Sequence, residues 1–424
     1  MAVTKTARVN AVTSCRLCGA GLGPVRLSLG AQPISNRLPR SRDQALASER
    51  YPLDVALCPE CGYVQLAHHI EASEHFHDDY TYISSASSTW LAHCRDYARD
   101  IGDRYGAPKG GLVVEVGSND GALLKALKAQ GHQVLGIEPS GNVARMANEA
   151  GLPTLNAFFD AASADEVRRS HGKAACVIGN NVLAHVPDTD GFLKAAAGLI
   201  REDGFLCFEF PHFVKILENM YVDTIYHEHY GYLGVRPLHE WARRNGMVIS
   251  AIDRQTTHGG SLRVILRHAA HGAPAKDLEA ILTEEAACLR PEAWDELGRK
   301  LESWRAAFLA CLAERKAAGL RIAGYAAASK TTVLTNYLGL TGEMIEFCCD
   351  ASPFKQGRFV PGTAIPIREP AALRENVPDV VIVFAWNIFE EISGVIRQLI
   401  DRPVEVIRPL PSIHSVMAEP AERV

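Results

Sequence analysis

The hydrophobic pattern changes along the chain and divides it into three parts. In residues 1–75, short strand-like runs such as Tyr51 to Leu57 alternate with turns. In residues 76–255, apolar runs typical of buried strands alternate with segments whose apolar residues recur at helical spacing. The same alternation returns in residues 256–424 after a long helical stretch. We therefore predict three domains with these bounds, a small N-terminal module followed by two α/β domains.

The central part opens in the order strand, glycine turn, helix and strand, which is typical of a doubly wound α/β domain. A helix at about Thr89 to Arg104 is predicted to precede it, after a loop that is rich in His and Tyr at Glu74 to Ser88. The later predicted elements are helices near Asn142 to Ala150 and Gly191 to Ile200, and strands near Gly111 to Val116, His132 to Pro139, Ala174 to Ile178, Gly204 to Phe210 and Gly246 to Asp253.

The C-terminal part is predicted to start with a strand at Leu262 to Arg267 and a helical region at Ala275 to Gly319. Pro291 is tolerated best in the first turn of a helix, so two helices are predicted there. A second α/β unit follows, with the apolar runs RIAGY, MIEFCC, VVIVFAW and VEVIRPL. Two Rossmann-like units separated by a helical connector indicate two ligand sites.

Composition narrows the class of protein. The chain has 424 residues, of which 47% are hydrophobic, and a net charge of -5. This acidic balance argues against nucleic acid as a partner. Seven of the cysteines are scattered without the spacing of a disulfide framework, and the N-terminus has no apolar signal region. No apolar run is long enough to span a bilayer. We expect a cytoplasmic protein without a membrane partner, either a monomer or a small homo-oligomer.

The remaining four cysteines predict a structural zinc site. Cys15 and Cys18 form one C-x2-C pair, and Cys58 and Cys61 form a second pair 39 residues later. Each C-x2-C turn presents two thiolates to one point, and tetrahedral zinc needs four ligands. Because all four positions are cysteine, no coordination position is left for a catalytic water. We therefore interpret the zinc as structural.

A glycine-containing loop in the central domain predicts a cofactor site. Its members follow the first buried strand: Glu115, Gly117, Ser118, Asn119 and Asp120. Glu138 and Pro139 end the next strand, where a carboxylate can accept hydrogen bonds from a ribose. The three-glycine phosphate fingerprint of a dinucleotide site is absent. The motif E-x-G-x-x-x-G followed by Glu138-Pro139 resembles the S-adenosylmethionine pocket of class I methyltransferases, which implies this cofactor. Another nucleotide and a plain strand-helix turn are the alternatives.

Two further groups of residues are candidates for chemistry. Asn180 and His185 follow the fourth strand, at the switch point where substrate and cofactor meet in such sheets. A core histidine whose hydrogen bonds are satisfied is the alternative interpretation of His185. The run from Asp223 to Tyr232 then contains Tyr226, Glu228 and His229. Imidazole titrates near neutrality, so this run favours general acid-base catalysis. A metal site and a solvated loop without a role are the alternatives.

The second α/β unit has polar residues where its strands end. Backbone N–H groups at a helix start and an ammonium group can bind a diphosphate, and an aromatic ring can stack on a base. The candidates for substrate binding are Ser329, Lys330, Asp350, Lys355, Trp386 and Asn387. Ordinary loop residues are the alternative interpretation of each.

These motifs together resemble the sugar C-methyltransferases of deoxysugar biosynthesis. The resemblance rests on the C-x2-C pairs and on the motifs VEVGSNDG, GIEPS, GNNVLAHVPD, DTIYHEHYGYL, HGGSLRV and SPFKQGRFVPGTAIPI, which span nearly the whole chain. It implies a zinc-binding N-terminal domain, a central class I methyltransferase domain and a C-terminal α/β domain that binds a nucleotide-linked sugar. One departure is Tyr230-Gly231-Tyr232-Leu233, where the family commonly has Phe-Ser-Tyr-Phe.

The resemblance also implies a reaction and a set of catalytic residues. The reaction is methyl transfer to the carbon alpha to a ketone, commonly C3 of a thymidine-diphosphate 4-keto-6-deoxysugar, through an enolate. The catalytic positions are Tyr80, His185, Tyr226, Glu228 and His229. We expect His229 to be the base, Glu228 to orient it, and His185 and the tyrosines to hold the sugar. Tyr82 is an alternative to Tyr80. An epimerase or isomerase, and a zinc-containing binding protein without catalysis, are the alternative functions.

Overall fold

A computed structural model describes residues 9–71, 80 and 82–421 of the chain. The strands are β1 (Val9–Ala11), β2 (Val25–Gln32), β3 (Tyr51–Leu57), β4 (Val64–Leu66), β5 (His68–Ile70), β6 (Leu112–Val116), β7 (Gln133–Ile137), β8 (Thr154–Leu155), β9 (Ala174–Asn180), β10 (Ile200–Pro211), β11 (Gly231–Tyr232), β12 (Met247–Gln255), β13 (Ser261–His268), β14 (Ile322–Tyr325), β15 (Cys348–Cys349), β16 (Ile367–Arg368), β17 (Val380–Val383), β18 (Val404–Arg408) and β19 (His414–Ala418).

The α-helices connect these strands, and short 3-10 turns occur in several loops. The α-helices are α1 (Arg42–Leu46), α2 (Ser88–Asp103), α3 (Ala122–Ala129), α4 (Gly141–Glu149), α5 (Ala161–His171), α6 (Thr189–Leu199), α7 (Val214–Asn219), α8 (Val235–Arg244), α9 (Leu278–Cys288), α10 (Pro291–Ala317), α11 (Ser329–Leu338), α12 (Ala372–Glu375) and α13 (Phe389–Leu399). Pro291 begins α10, which confirms the predicted pair of helices. Among the helices described here, none has a long enough apolar stretch to cross a lipid bilayer.

The central sheet is doubly wound and has the strand order β12-β13-β10-β9-β6-β7-β8. The strands from β6 to β10 pair in parallel, and β13 runs antiparallel between β10 and β12. All five residues of β6 are buried, because helices cover both faces of a parallel sheet. The order reverses direction between β6 and β9, so the carboxyl ends of these two strands form the crevice where ligands bind.

The C-terminal sheet repeats this plan on a smaller scale. Its order is β16-β15-β14-β17-β18-β19, with only the last strand antiparallel. The switch point lies between β14 and β17. Each α/β unit therefore has its own crevice, as the sequence pattern predicts.

The N-terminal module is not an isolated unit. Its sheet has the order β11-β4-β3-β2, and β11 comes from the segment that follows His229. A continuous hydrophobic core joins this sheet to α10 and to the C-terminal sheet, and it includes Val55, Trp294 and Ile322. The module is thus packed against both of the larger domains.

The sheets divide the chain differently from the predicted boundary at residue 255. Strand β13 lies after that boundary but pairs with β10 and β12 in the central sheet. The predicted boundary puts this strand in the C-terminal domain, whereas its pairing places it in the central sheet, and the domain bounds themselves stay a prediction. A local pattern identifies a strand, whereas the partner of an antiparallel strand depends on contacts that are distant in the chain.

Candidate active site

The four predicted metal ligands come together. The sulfurs of Cys15 and Cys61 are 3.7 Å apart, and those of Cys18 and Cys58 are 3.4 Å apart. All four sulfurs lie within 4.8 Å of one another. A tetrahedral zinc ion with Zn–S bonds of about 2.3 Å needs sulfurs about 3.8 Å apart. The cluster therefore has the size and the donor set of a structural zinc site.

The predicted cofactor loop follows β6 and is held by Glu138. The two oxygens of Glu138 accept hydrogen bonds from the backbone N–H groups of Asn119 (2.9 Å) and Ser140 (2.8 Å). Asn119 has a left-handed backbone with φ 51°, and such strain is typical of ligand sites. Gly121 has φ 83°, and a Cβ atom there would lie 2.5 Å from Leu152. The loop conformation thus depends on these residues.

Glu138 consequently has a structural contact that the sequence pattern does not predict. Burial raises its pKa, and the N–H groups of Ser140 and Asn119 oppose that shift. Each carboxylate oxygen retains a second lone pair, so the predicted contact with a ribose remains a prediction. Pro139 is fixed nearby, because its carbonyl oxygen accepts a hydrogen bond of 3.1 Å from the side chain of Asn156.

The polar atoms around this loop fit an absent polar ligand. Within the described part of the chain, several buried side-chain atoms have no hydrogen-bond partner: Glu115 Oε2, Ser118 Oγ, Asp120 Oδ1 and both Asn180 side-chain atoms. Orphaned buried polar groups are costly unless a ligand or water satisfies them. Burial raises the pKa of Glu115 well above its usual range, and Glu138 adds to this shift. The crevice offers donors and acceptors that suit the ammonium, carboxylate and ribose of S-adenosylmethionine.

A segment that follows the N-terminal module covers the cofactor loop. The carbonyl oxygens of Tyr80 and Tyr82 accept hydrogen bonds from Asn142 (2.9 Å) and Asn119 (3.2 Å), respectively. The backbone N–H of Ser84 donates to Asn119 in return. The Tyr82 residue is 48% exposed. Burial and the nearby Glu228 raise the pKa of Tyr80 well above its usual range. Both phenols contribute to raising the pKa of Tyr226, so the choice between Tyr80 and Tyr82 stays a prediction. The rest of the predicted His- and Tyr-rich loop, residues 74–79 and 81, lies outside the described residues.

The geometry of His229 is suited to a base. The Nδ1–H group donates to the carbonyl oxygen of Thr224 at 2.8 Å, since a carbonyl can only accept. In the neutral ring Nε2 then carries a lone pair, which accepts a hydrogen bond of 2.7 Å from the Tyr226 hydroxyl. Burial lowers the pKa of His229 well below its usual range, and the adjacent His185 lowers it further. The imidazole is thus neutral at pH 7 and able to take a proton at Nε2.

His185 and Glu228 complete the cluster, and the contact of Glu228 differs from the predicted one. The rings of His185 and His229 meet edge to face with centroids 4.7 Å apart. Burial lowers the pKa of His185 to about 4, opposed by a hydrogen bond to the carbonyl oxygen of Glu228. Glu228 is predicted to orient His229, but in the described part of the chain its carboxylate bonds to Asn36 instead. Thr224 and Tyr226 orient the ring.

Lys330 brings the C-terminal domain to this cluster. Its Nζ donates to Asn387 Oδ1 at 3.1 Å and lies 3.9 Å from the centre of the Trp386 ring. Burial lowers the pKa of Lys330, and Asp223 opposes that shift. The positive charge also contributes to lowering the pKa of His229. Residues 223–232, which contain Tyr226, Glu228 and His229, are called the catalytic turn below. Lys330, at the start of α11, brings a positive charge from the second crevice to this turn.

Trp386 does not have a free face for a nucleobase. Tyr221 stacks on the ring with centroids 3.8 Å apart and planes inclined by 16°, and the ammonium of Lys330 is close to the ring centre. The two groups take opposite faces, because a stacked ring leaves no room for a cation on its own side. The indole N–H donates to Asp223 Oδ2 at 2.7 Å. The predicted stacking of a base on Trp386 is therefore wrong, and the residue joins the C-terminal domain to the catalytic turn.

Asp350 and Lys355 form an ion pair with each other. Asp350 Oδ2 accepts from the N–H of Ala327 at 2.8 Å and from Lys355 Nζ at 3.1 Å, and its Oδ1 accepts from the N–H of Ser352 at 2.9 Å. Asp350 thus holds the first loop of its unit, as Glu138 does in the central domain. Ser329, Lys330 and Asn387 remain the candidates for binding a substrate.

Several residues that contact the candidate site are not among the predicted site residues, although Thr224, Asn181 and His258 lie within the motifs of the resemblance. Thr224 contributes only a carbonyl group, which any residue offers. Asn36 lies in an irregular stretch of the zinc module, 192 residues from Glu228. Asn181 pairs with His258, an unusual non-glycine residue with φ 52° in the turn before β13. The His258-Gly-Gly sequence is the one available hint of this turn.

Three family models match the chain in succession. They describe a zinc binding domain at residues 15–76, a methyltransferase domain at residues 90–251 and a C-methyltransferase C-terminal domain at residues 256–411. The C-methyltransferase NovU of Streptomyces niveus is 32% identical over 414 residues, which cover 97% of this chain and 98% of that protein.

Solved methyltransferase structures match the chain at low identity and low TM-score. Magnesium protoporphyrin IX methyltransferase of Synechocystis, with bound S-adenosylmethionine, is 17% identical with a TM-score of 0.31, covering 42% of this chain and 77% of its own. A SAM-dependent methyltransferase of Anabaena variabilis is 11% identical with a TM-score of 0.34, covering 42% and 85%.

The fold, the cysteine cluster and the cofactor crevice together define a zinc-containing methyltransferase that uses S-adenosylmethionine. The match to NovU over nearly the full length places the chain more narrowly. It belongs to the C-methyltransferase family. The resemblance derived from the motifs is thereby confirmed at the level of family, and the enzyme interpretation replaces that of a binding protein without catalysis.

Proposed function

We propose that the enzyme methylates the carbon alpha to the ketone, at C3, of a nucleotide-diphosphate 4-keto-6-deoxysugar. The observation that carries this proposal is the Thr224–His229–Tyr226 arrangement, which fixes an unprotonated Nε2 on a half-buried imidazole. A C–H bond beside a ketone is acidic enough for such a base, because the charge that develops moves to the ketone oxygen.

The Tyr226 hydroxyl turns from His229 Nε2 to the ketone oxygen of the substrate, which releases the Nε2 lone pair. The proton of the alpha carbon is then transferred to Nε2, and the electron pair of the broken C–H bond forms the enolate. Tyr80 and the released Tyr226 hydroxyl supply donors for the enolate oxygen, and such donors stabilise the transition state most when they are held rigidly. The N–H of neutral His185 is used by the carbonyl oxygen of Glu228, so His185 holds the sugar by accepting a hydrogen bond at its other ring nitrogen. When bound, S-adenosylmethionine supplies an electrophilic methyl group for the nucleophilic carbon. Glu115, Asp120, Glu138 and Asn180 are the residues that would hold it.

The second crevice supports a nucleotide-linked substrate. Lys330 and Asn387 lie beside the start of α11, where the backbone N–H groups of a helix favour an anion such as a diphosphate. Lys330 Nζ lies 3.9 Å from the centre of the Trp386 ring, and the indole N–H of Trp386 donates to Asp223 in the segment that carries His229, so the second crevice adjoins the base. We propose thymidine diphosphate as the nucleotide, from the resemblance of the motifs.

Mass spectrometry of products from a panel of sugar nucleotides tests this function. Each 4-keto-6-deoxysugar nucleotide is paired with the matching sugar that has a hydroxyl at C4, together with S-adenosylmethionine labelled with 13C in the methyl group. We expect a gain of one labelled methyl only with the ketosugars, and NMR then locates it at C3. Methylation of the hydroxyl sugars at an equal rate, or on oxygen, would refute the proposal.

A further inference from the structure

The zinc module contributes one side chain directly to the catalytic cluster. Asn36 follows β2, and its Nδ2 group donates to both oxygens of Glu228, at 2.9 Å to Oε1 and 2.8 Å to Oε2. The backbone N–H of Asn36 also bonds to this carboxyl group. Glu228 is 1% exposed. A residue of the predicted structural domain is therefore the hydrogen-bond partner of a buried carboxyl group beside the base.

The position of Asn36 is fixed from two sides. The preceding Ile34 and Ser35 are buried. The carbonyl oxygen of Ser35 accepts a hydrogen bond of 3.2 Å from the Thr332 hydroxyl in α11. Asn36 is thus held between the zinc module and the same C-terminal helix that presents Lys330.

The catalytic turn is fastened to the same module. The backbone N–H of Leu66 donates to the carbonyl oxygen of Tyr230 at 3.0 Å, next to the β4–β11 pairing. His227 Nε2 lies 3.2 Å from the carbonyl oxygen of Tyr51, to which it donates. These bonds flank Glu228 on both sides. The geometry of the Asn36 contact is therefore set by the fold and not by a flexible surface loop.

Among the described residues, Asn36 is the main hydrogen-bond partner of the Glu228 carboxylate. The titratable groups that face it are Tyr80 from the covering segment and Tyr226 and Tyr230 from its own turn, while His185 bonds to its carbonyl oxygen. Over residues 9–71, 80 and 82–421, no Lys or Arg forms an ion pair with it. Burial raises the pKa of Glu228 to about 7, and the hydrogen bonds from Asn36 oppose that shift.

We propose that Asn36 is a positioning residue for the methyl-transfer reaction, because its carboxamide holds and orients the Glu228 carboxylate beside the base and the tyrosines. The zinc module then serves the active site through a specific hydrogen bond as well as through packing. This inference rests on the proposed function, in which Glu228 is part of the catalytic cluster.

The expected consequence is a change in pH dependence. Without the Asn36 carboxamide, the ionised form of Glu228 loses two hydrogen bonds, so its pKa rises further. A hydrogen bond to a charged group is strong enough to shift a pKa by about one unit. The rate then falls about tenfold on the acid side of the profile and recovers at high pH. A purely structural role would lower the rate equally at every pH.

The test measures kcat for methyl transfer as a function of pH in Asn36→Ala and in Ser35→Ala. A range of about pH 5.5 to 9.5 covers the titration of a carboxyl group whose pKa is raised. Ser35 is the matched control, because Thr332 bonds to its backbone and not to its hydroxyl. We expect the acid limb of Asn36→Ala to move up by about one pH unit, and that of Ser35→Ala to stay. If Asn36→Ala folds poorly, as judged by zinc content, Asn36→Asp keeps the size and should move the limb at least as far. An unchanged limb in the folded variant would overturn the proposal.

A second measurement separates this inference from the proposed function. Difference infrared spectroscopy follows the band of the protonated Glu228 carboxyl group without any substrate, and Glu228→Gln assigns the band. We expect it to titrate at higher pH in Asn36→Ala than in the wild type. If the band moves but no ketosugar is methylated, the proposed function fails and the Asn36 contact stands. If the band does not move, the Asn36 proposal fails whatever the substrate.

Discussion

Replacing Trp386 with Phe should destabilise the junction between the C-terminal domain and the catalytic turn in a pH-dependent way. The indole N–H donates to Asp223 Oδ2 at 2.7 Å, and Asp223 is fully buried. Asp223 Oδ1 has no hydrogen-bond partner among the described residues. The variant keeps an aromatic ring for Tyr221 and Lys330 but removes the donor.

The magnitude follows from the loss of a hydrogen bond to a charged group, which costs about 2 kcal/mol. For a domain of this size, that corresponds to a drop of about 4–8 °C in the midpoint of the affected transition.

Burial raises the pKa of Asp223, opposed by Lys330 and by the Trp386 hydrogen bond. Removal of that bond raises the pKa further. Since the folded pKa is above the unfolded one, the protein is destabilised as the pH rises through the folded value. The loss should therefore be larger at about pH 8 than at about pH 5.

Scanning calorimetry of the full chain at both pH values provides the assay, with Asp223→Asn as the second member of a double-mutant cycle. In the Asp223→Asn background the acceptor is neutral, so the Trp386→Phe change should cost about 1 kcal/mol or less. An equal loss in both backgrounds and at both pH values would show that Trp386 acts through packing alone.

Three further variants test other parts of the structure. Cys58→Ser removes one of the four zinc ligands, so it should lower the amount of bound zinc, measured by elemental mass spectrometry, and the first thermal midpoint. Cys311→Ser, which lies away from the cluster, is the control and should change neither. Lys330→Met should raise the KM for the sugar nucleotide about tenfold or more in steady-state assays, while Lys355→Met should have a smaller effect because Lys355 is paired with Asp350. Tyr226→Phe removes the hydrogen bond to His229 and should lower kcat about tenfold with little change in KM; an unchanged kcat would remove Tyr226 from the catalytic set.

Much of the fold could be predicted because its signals are local. The glycine turn after β6 and the start of α10 at Pro291 are marked by residues that favour those conformations. Pairing between distant strands has no such signal. The two-residue strand β11 joins the zinc module through backbone bonds alone, and β13 belongs to the central sheet although it follows the predicted boundary.

The candidate site was predictable to a similar extent. Tyr226 and His229 are three residues apart, and one turn of chain suffices to bring them together. The partners of Glu228 and Trp386 were not predictable, because Asn36 and Asp223 reach them from other domains. In the sequence, Asn36 and Asp223 have the pattern of ordinary loop residues, and only the packing of the three domains brings them to their partners.

The most direct test of the proposed mechanism is proton exchange at the alpha carbon. The enzyme is incubated in heavy water with a 4-ketosugar nucleotide and S-adenosylhomocysteine, so that no methyl group is transferred, and NMR follows deuterium at C3. We expect exchange with the wild type and a rate lower by a factor of about 100 or more with His229→Asn, since general base catalysis contributes at least that factor. Exchange at the wild-type rate in the His229→Asn variant would contradict the account. So would wild-type enzyme that methylates the ketosugar but incorporates no deuterium at C3 in this assay.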